Sequence, residues 1–190
     1  MAKLYFRYSA MNAGKSTSLV QVAFNYEERG MGVRIYTTAI DDRFEPGYVT
    51  SRLGVRRPAL PFDAGTEFFT DTKTHERVAC ILIDEAQFLT PEQVRELHRV
   101  AHVLDIPVIA FGIRSDFRGE PFPGSAYLLA LADDIEEIKN ICACGRKATM
   151  NVRVDEQGRR ITQGEQIGIE GQHRYLQMCG SCFYNAETDR

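Results

Sequence analysis

The stretch that decides the fold of this chain reads Ser9-Ala10-Met11-Asn12-Ala13-Gly14-Lys15-Ser16. It matches the phosphate-binding pattern G-x-x-x-x-G-K-[ST] except at Ser9, which replaces the first glycine. A short apolar strand precedes it and a helical pattern from Thr17 to Glu28 follows, so backbone N–H groups at the helix start would face an anion. Lys15 would add positive charge, and Ser16 would offer a hydroxyl ligand to Mg²⁺. We therefore predict a nucleotide phosphate site, the alternative being a chance Gly-Lys-Ser in a surface turn.

Strand and helix patterns alternate from this loop to about residue 141. The run from Val78 to Ile83 is continuously apolar, which is typical of a parallel strand buried on both faces. Residues 108–113 form another apolar run. We predict an α/β fold in which a mostly parallel sheet is flanked by helices, as in P-loop NTPases, with ligands at the carboxyl ends of the strands. Residues 41–76, rich in Arg, Pro, Gly and Thr, are expected to form a long lid-like loop outside the core.

Two acids, Asp84 and Glu85, end the most apolar strand. We expect this strand to neighbour the one before the phosphate loop, so that Asp84 holds Mg²⁺ directly or through water. Glu85 would then orient an acceptor hydroxyl and take its proton, as phosphoryl transfer to an alcohol requires. Two alternatives stay open: both acids start a solvated turn, or Glu85 activates water as in an ATPase.

Four of the five cysteines form two pairs near the C-terminus, Cys142-x-Cys144 and Cys179-x-x-Cys182. Four thiolates at such a spacing are typical of a closed, structural zinc site, which leaves no open position for chemistry. Two disulfides are the alternative. The fifth cysteine, Cys80, lies inside the apolar strand and is interpreted as a small core residue.

Composition bounds the domain count and the class of partner. The chain has 190 residues, 44% hydrophobic and 26% charged, enough for one sizeable core. Apolar residues become sparse after Ile141, so we predict a phosphate-handling domain over 1–141 and a zinc ribbon over 142–190 that carries a ligand-covering loop. A net charge of −3, without a basic stripe in either part, argues against a nucleic-acid partner. No apolar run has membrane length and no signal-peptide core begins the chain, so we expect a cytoplasmic protein.

Four motifs together resemble one family. They are Ser-Ala-Met-Asn-Ala-Gly-Lys-Ser at 9–16, Asp-Glu-Ala-Gln-Phe at 84–88, Asp-Phe-Arg-Gly-Glu-Pro-Phe at 116–122 and Ile-Cys-Ala-Cys-Gly-Arg-Lys-Ala at 141–148. Their combination resembles the cytosolic, zinc-containing (type II) thymidine kinases nearly from end to end. The resemblance implies transfer of the γ-phosphoryl group of ATP, with Mg²⁺, to the 5′-hydroxyl of thymidine and also of deoxyuridine. It further implies nucleotide salvage, a homotetramer and inhibition by dTTP.

The resemblance also assigns the site. It implies that Glu85 is the base that acts on the thymidine hydroxyl. It implies a nucleotide site formed by residues 9–16 together with Asp41, Arg43, Asp84, Glu85, Ala86 and Gln87. It implies a nucleoside site formed by Phe88, Phe117, Gln166, Ile167, Gly168, Ile169, Glu170 and Tyr175. Core packing is the alternative for the three aromatic residues.

Two positions depart from the family pattern. Cys142 and Cys144 are separated by one residue where many relatives have two, and Glu170 stands where glycine is expected, although a non-glycine residue resists positive φ. Two other functions remain as alternatives: a zinc-ribbon ATPase that acts on nucleic acid, and an interaction protein with a vestigial phosphate loop.

Overall fold

A computed structural model describes residues 1–39, 47–51, 53–75, 77–166 and 174–188. The described elements, in chain order, are β1 (Leu4–Ser9), α1 (Lys15–Glu27), β2 (Gly32–Thr38), β3 (Tyr48–Thr50), β4 (Arg56–Pro58), β5 (Leu60–Phe62), α2 (Phe68–Thr74), β6 (Val78–Ile83), a 3-10 turn (Ala86–Phe88), α3 (Pro91–Val103), β7 (Val108–Ile113), α4 (Pro123–Leu131), β8 (Asp134–Glu137), β9 (Met150–Val154), β10 (Arg160–Ile161), β11 (Arg174–Met178) and α5 (Gly180–Thr188). None of the helices in these ranges is both long and apolar enough to cross a membrane.

Six of the described strands form one sheet in the order β5-β2-β6-β7-β1-β8, and every neighbouring pair is parallel. All residues of β7 are buried, because helices cover both faces of the sheet. Helix α1 packs Leu19 and Ala23 against Leu82 and Phe111 on one face. Helices α3 and α4 pack against Ile81, Ile83 and Ala110 on the other face; their contributions include Val94, Leu97 and Leu128. The predicted parallel sheet flanked by helices is therefore confirmed.

The segment after β2 corrects one prediction. Strand β5 pairs with β2 as the edge of the main sheet, and Phe62 and Phe68 are buried in its core. The expectation of a loop outside the core is thus wrong for much of 47–75. Strands of three residues are too short for an alternating pattern to be recognised, so the sequence signal here was only the turn-rich composition.

The second described sheet is small and antiparallel, in the order β10-β9-β11. Its apolar cluster is limited to a few side chains, chiefly Val152, Val154 and Phe183. So little buried surface stabilises a folded unit weakly, which agrees with the need for an additional link such as a metal. The predicted domain boundary at Ile141 stays a prediction.

Candidate active site

The phosphate loop joins β1 to α1 at the carboxyl edge of the sheet. Gly14 caps the helix in the left-handed conformation with φ 86°, which a side chain would resist. Lys15 is buried, and its Nζ donates to Ser9 Oγ at 3.2 Å and to the Ala10 carbonyl at 3.4 Å. Ser9 Oγ in turn donates to the Ala10 carbonyl at 2.6 Å. Ser9, which replaces the first glycine of the pattern, therefore fixes the Lys15 side chain through a hydrogen bond inside the loop.

Asp84 and Ser16 meet beside this loop. Strand β7 separates β6 from β1, so the expectation that these two strands are neighbours is wrong. Ser16 Oγ nevertheless donates to Asp84 Oδ2 at 3.3 Å, because all parallel strands end at the same edge. Asp84 is buried, and its Oδ1 has no hydrogen-bond partner among the described residues.

Burial first, and then the charge of Glu85, raise the pKa of Asp84 well above its usual range, against the opposing effect of Lys15. A buried carboxylate oxygen without a partner, next to a hydroxyl, is a pair of hard oxygen ligands that suits Mg²⁺. The residues present therefore fit the cation that accompanies a bound nucleotide.

Glu85 is held in a strained conformation directly after Asp84. Its φ of 51° and ψ of 41° place a non-glycine residue in the left-handed region, and such strain concentrates at functional sites. Gln87 Nε2 donates to Glu85 Oε2, while Gln87 Oε1 accepts from the Ile113 N–H at 3.2 Å. A Cβ atom at Gly112 would lie 2.9 Å from Gln87 Oε1, so glycine is needed there for this contact. The half-buried carboxylate is thus fixed to the end of β7 through one amide.

The predicted aromatic residues take different positions. Phe88 is half-buried and meets Phe122 edge-on, with ring centroids 5.8 Å apart. Phe117 is 1% exposed, and the guanidinium carbon of Arg153 lies 3.9 Å from its ring centroid. Tyr175, on β11, accepts a hydrogen bond from Arg153 Nε at 2.9 Å. The structure therefore brings Phe117 and Tyr175 together through Arg153; their contact with a nucleoside stays a prediction.

The loop that carries Phe117 is tied to the start of the predicted nucleoside-binding stretch. Gln166 Nε2 donates to the Pro121 carbonyl at 3.3 Å, and Arg153 Nη2 donates to the Gln166 carbonyl at 3.4 Å. Arg118 binds Asp116 and donates to the Gly164 carbonyl at 3.3 Å. Several predicted site residues lie outside the described residues: Asp41, Arg43, Ile167, Gly168, Ile169 and Glu170.

Sequence reasoning missed Asn151 and Arg153, two buried polar residues of β9. Asn151 Oδ1 accepts from the Met11 N–H at 2.8 Å, and its Nδ2 donates to the Ser115 carbonyl at 3.4 Å. They alternate with Val152 and Val154, and that pattern favours a strand with one face in solvent. The face with Asn151 and Arg153 instead covers the phosphate loop and the loop of Phe117. Only the fold distinguishes these two buried residues from the solvent-exposed polar residues that an alternating strand usually carries.

Four sulfurs lie together at the C-terminal module. The Sγ atoms of Cys142, Cys144, Cys179 and Cys182 are all within 4.8 Å of one another. The 3.6 Å between Cys144 and Cys179 is far from a disulfide bond, and all four cysteines are free. Two closely spaced pairs of thiols around one point fit a structural zinc ion.

The four thiols influence one another's protonation. Backbone N–H groups of Cys144 and Cys179 lower the pKa of Cys142 to about 6. Hydrogen bonds with the neighbouring sulfurs, Cys144 first, raise the pKa of Cys182 to about 12. Four thiolates repel one another without a compensating charge, and a divalent ion supplies that charge.

The fold agrees with that of a solved nucleotide-hydrolysing protein. A solved ATPase domain superposes with a TM-score of 0.50 at 14% sequence identity, over 92% of this chain and 80% of that one. At this identity the similarity concerns the fold alone.

Sequence comparison is more specific. The family model described as thymidine kinase matches residues 2–183. The chain is 57% identical over 185 residues to a thymidine kinase of Chromobacterium violaceum, with 97% of this chain and 100% of that protein covered. It is 55% identical over 185 residues to a thymidine kinase of Albidiferax ferrireducens, with coverage of 97% and 93%. The chain belongs to the thymidine kinase family.

Proposed function

We propose that this chain transfers the γ-phosphoryl group of ATP to the 5′-hydroxyl of thymidine, giving dTMP and ADP, with Glu85 as the general base. The observation that carries the proposal is the pair formed by buried Asp84 beside Ser16 and by Glu85 fixed through Gln87. In this proposal the first acid holds a cation and the second takes a proton. Phosphoryl transfer to an alcohol requires both a cation at the phosphates and a base for the hydroxyl.

On the nucleotide side, residues 9–16 hold the phosphates with backbone N–H groups and the Lys15 ammonium. Ser16 and Asp84 would hold Mg²⁺, which neutralises charge on the β- and γ-phosphates when it is bound. Asp41 and Arg43 are proposed as further contacts to the nucleotide, on the resemblance to the family alone.

At the acceptor, Glu85 takes the proton of the 5′-hydroxyl while that oxygen forms its bond to the γ-phosphorus. The bond from this phosphorus to the β–γ bridging oxygen breaks, and ADP leaves with the electron pair. Gln87 keeps the carboxylate oriented, because its amide is fixed at both ends. A base held in position contributes without reorganisation during the reaction.

The nucleoside is proposed to lie among Phe88, Phe117, Tyr175 and residues 166–170, with deoxyuridine as a second substrate. Arg153 acts here as a positioning residue. Its side chain, 4% exposed, contacts the ring of Phe117 and the hydroxyl of Tyr175 together. A buried guanidinium can satisfy several partners at once in a fixed plane, which sets the distance between those two residues.

A zinc ion at the four cysteines is proposed from their spacing and from the closeness of their sulfurs, and a boundary between domains at Ile141 from the sparse apolar residues beyond it. A homotetramer, inhibition by dTTP and a cytoplasmic location are proposed on the resemblance to the cytosolic family. Light scattering tests the tetramer, and dTTP titration of the rate tests the inhibition.

A nucleoside panel tests the proposed reaction. With ATP labelled at the γ-phosphate, we expect label transfer to thymidine and deoxyuridine. A nucleic-acid-dependent ATPase would instead release labelled inorganic phosphate faster when DNA or RNA is added. Polymer-stimulated hydrolysis without nucleoside phosphorylation would reject the kinase assignment.

A further inference from the structure

A second cluster of metal-ligating side chains lies on α3. His98 and His102 are four residues apart and so share one face of the helix, with ring centroids 4.4 Å apart. Asp133, between α4 and β8, faces them, and its Oδ2 lies 3.0 Å from His102 Nε2. One ligand atom from each of the three residues lies within 4.8 Å of the other two.

The donor set has a definite metal preference. Two imidazoles and one carboxylate are typical ligands of Zn²⁺, Ni²⁺, Co²⁺ and Cu²⁺, whereas Mg²⁺ and Ca²⁺ prefer oxygen donors. Three protein ligands leave at least one position for water. The side chains of His102 and Asp133 are 28% and 25% exposed, so an ion from solution has access while the cluster stays partly shielded.

The carboxylate is already oriented. Asp133 Oδ2 accepts the Leu4 N–H at 2.8 Å, an outer contact of the kind that fixes metal-binding carboxylates. Although desolvation acts against it, the Leu4 N–H and the neighbouring His102 hold the pKa of Asp133 below its usual range. The Leu4 N–H therefore holds the carboxylate in place beside the histidine pair.

We propose that His98, His102 and Asp133 form a second site for a divalent transition metal, separate from the four cysteines. Leu4 begins β1 and Asp133 precedes β8, so the site lies at the amino edge of the sheet. The phosphate loop follows the other end of β1, about 20 Å away for a strand of this length. An ion here would join α3 to the starts of β1 and β8 and would stabilise the fold without taking part in the reaction.

Co²⁺ binding to the zinc-loaded full chain tests the proposal. With the cysteine site occupied and excess Mg²⁺ present to saturate the proposed site at Ser16 and Asp84, we expect one further equivalent of Co²⁺ by equilibrium dialysis, with weak d–d absorption and no thiolate charge-transfer band. The melting temperature should rise with Co²⁺, because an ion that binds the folded state alone stabilises it. The double variant H98A/H102A should lose the second equivalent and the thermal shift.

His75→Ala is the matched control. His75 also lies beside an acid four residues away, Asp71, at 3.5 Å, but it is not part of the described metal-ligating cluster on α3. This variant should keep the second equivalent. If the wild-type chain binds no Co²⁺ beyond the cysteine site, or if H98A/H102A still binds it, His102 and Asp133 form only an ion pair and the proposal is wrong. Thymidine phosphorylation should be unchanged in H98A/H102A, so the result is independent of the proposed kinase mechanism.

Discussion

The phosphate end of this chain comprises residues 9–16, Asp84 and Glu85, and the cysteine end comprises residues 142–188. The two ends are assembled in different ways. At the phosphate end, each group lies at or near a strand end: Ser9 ends β1, Lys15 follows shortly after it, and Asp84 directly follows β6. At the cysteine end, Arg153 joins a carbonyl 13 residues away to a hydroxyl 22 residues away. The groups of the phosphate site are positioned mainly by strand ends, with Ser16 and Asn151 adding contacts to Asp84 and to the loop backbone. The cysteine end depends on contacts between distant side chains.

This difference predicts which property a substitution at each end should change. The backbone of the phosphate end is supported by the full core of the parallel sheet, so a substitution there should affect chemistry more than folding. The small apolar cluster of the cysteine end gives no such support, so changes there should act through structure and through nucleoside affinity.

Removal of the metal should have the largest effect. We expect Cys179→Ser to lose zinc and nearly all thymidine binding while ATP binding remains, because Tyr175 and residue 166 lose their anchor. Metal analysis and separate titrations with ATP and thymidine measure this. Cys80→Ala, which changes a core thiol, should keep the zinc. Unchanged thymidine affinity in metal-free protein would break the comparison between the two ends.

Glu85→Gln should lower kcat by about 100-fold or more, the usual contribution of a general base. ATP affinity and the melting temperature should change little, since the amide has nearly the same shape. Glu92→Gln is the control, as that side chain is 80% exposed on α3 and should retain full activity. Near-normal turnover by the Glu85 variant would remove this residue from the proposed role.

Arg153→Lys should raise the KM for thymidine about tenfold, in keeping with the loss of one hydrogen bond to a charged group. Lysine keeps the charge, but it cannot lie flat on Phe117 while it donates to Tyr175. The KM for ATP and the zinc content should stay unchanged. Arg159→Lys, an exposed change in the same module, is the control. An equal fall in ATP affinity would show that the two ends are not independent.

We expect the smallest effect from Asp84→Asn, on the stability of the magnesium-free protein. Its pKa is raised in the folded chain, so the charged form is disfavoured there relative to the unfolded chain. The ionised Asp84 therefore destabilises the folded protein fully at a pH above its raised pKa in the folded chain. The effect disappears at a pH below the ordinary pKa of an aspartate, where the residue is protonated in both states. Asp84→Asn should therefore stabilise the magnesium-free protein by about 1 kcal/mol at pH 8 and by less at pH 5. Thermal unfolding measures the difference, and exposed Asp134→Asn should show neither effect.

The parts of the fold that sequence could predict are those with local signals. The phosphate loop, the acids after β6 and the cysteine pairs each combine a residue type with a spacing. The edge strand β5 was missed because it is only three residues long. The position of β6, two strands away from β1, depends on the order of strands in the sheet, which no local pattern records.

Arg153 was missed for a different reason. A charged residue in an alternating strand is ordinarily solvated, so its burial could not be inferred before its partners were known. The roles of Phe117 and Tyr175 could be proposed from the resemblance, but the guanidinium between them could not. Side-chain networks between distant segments thus require the structure itself.

Ser9 in the phosphate loop competes with an incoming anion for the ammonium group of Lys15. Ser9 and the Ala10 carbonyl occupy the ammonium group within the loop, so an arriving anion must offer it more than these two neutral oxygens do. A polyphosphate tail can do so, while chloride or a single weakly charged group gains little from the exchange. Ser9 would thereby favour highly charged ligands of Lys15 over weakly charged ones before any contact with the nucleoside.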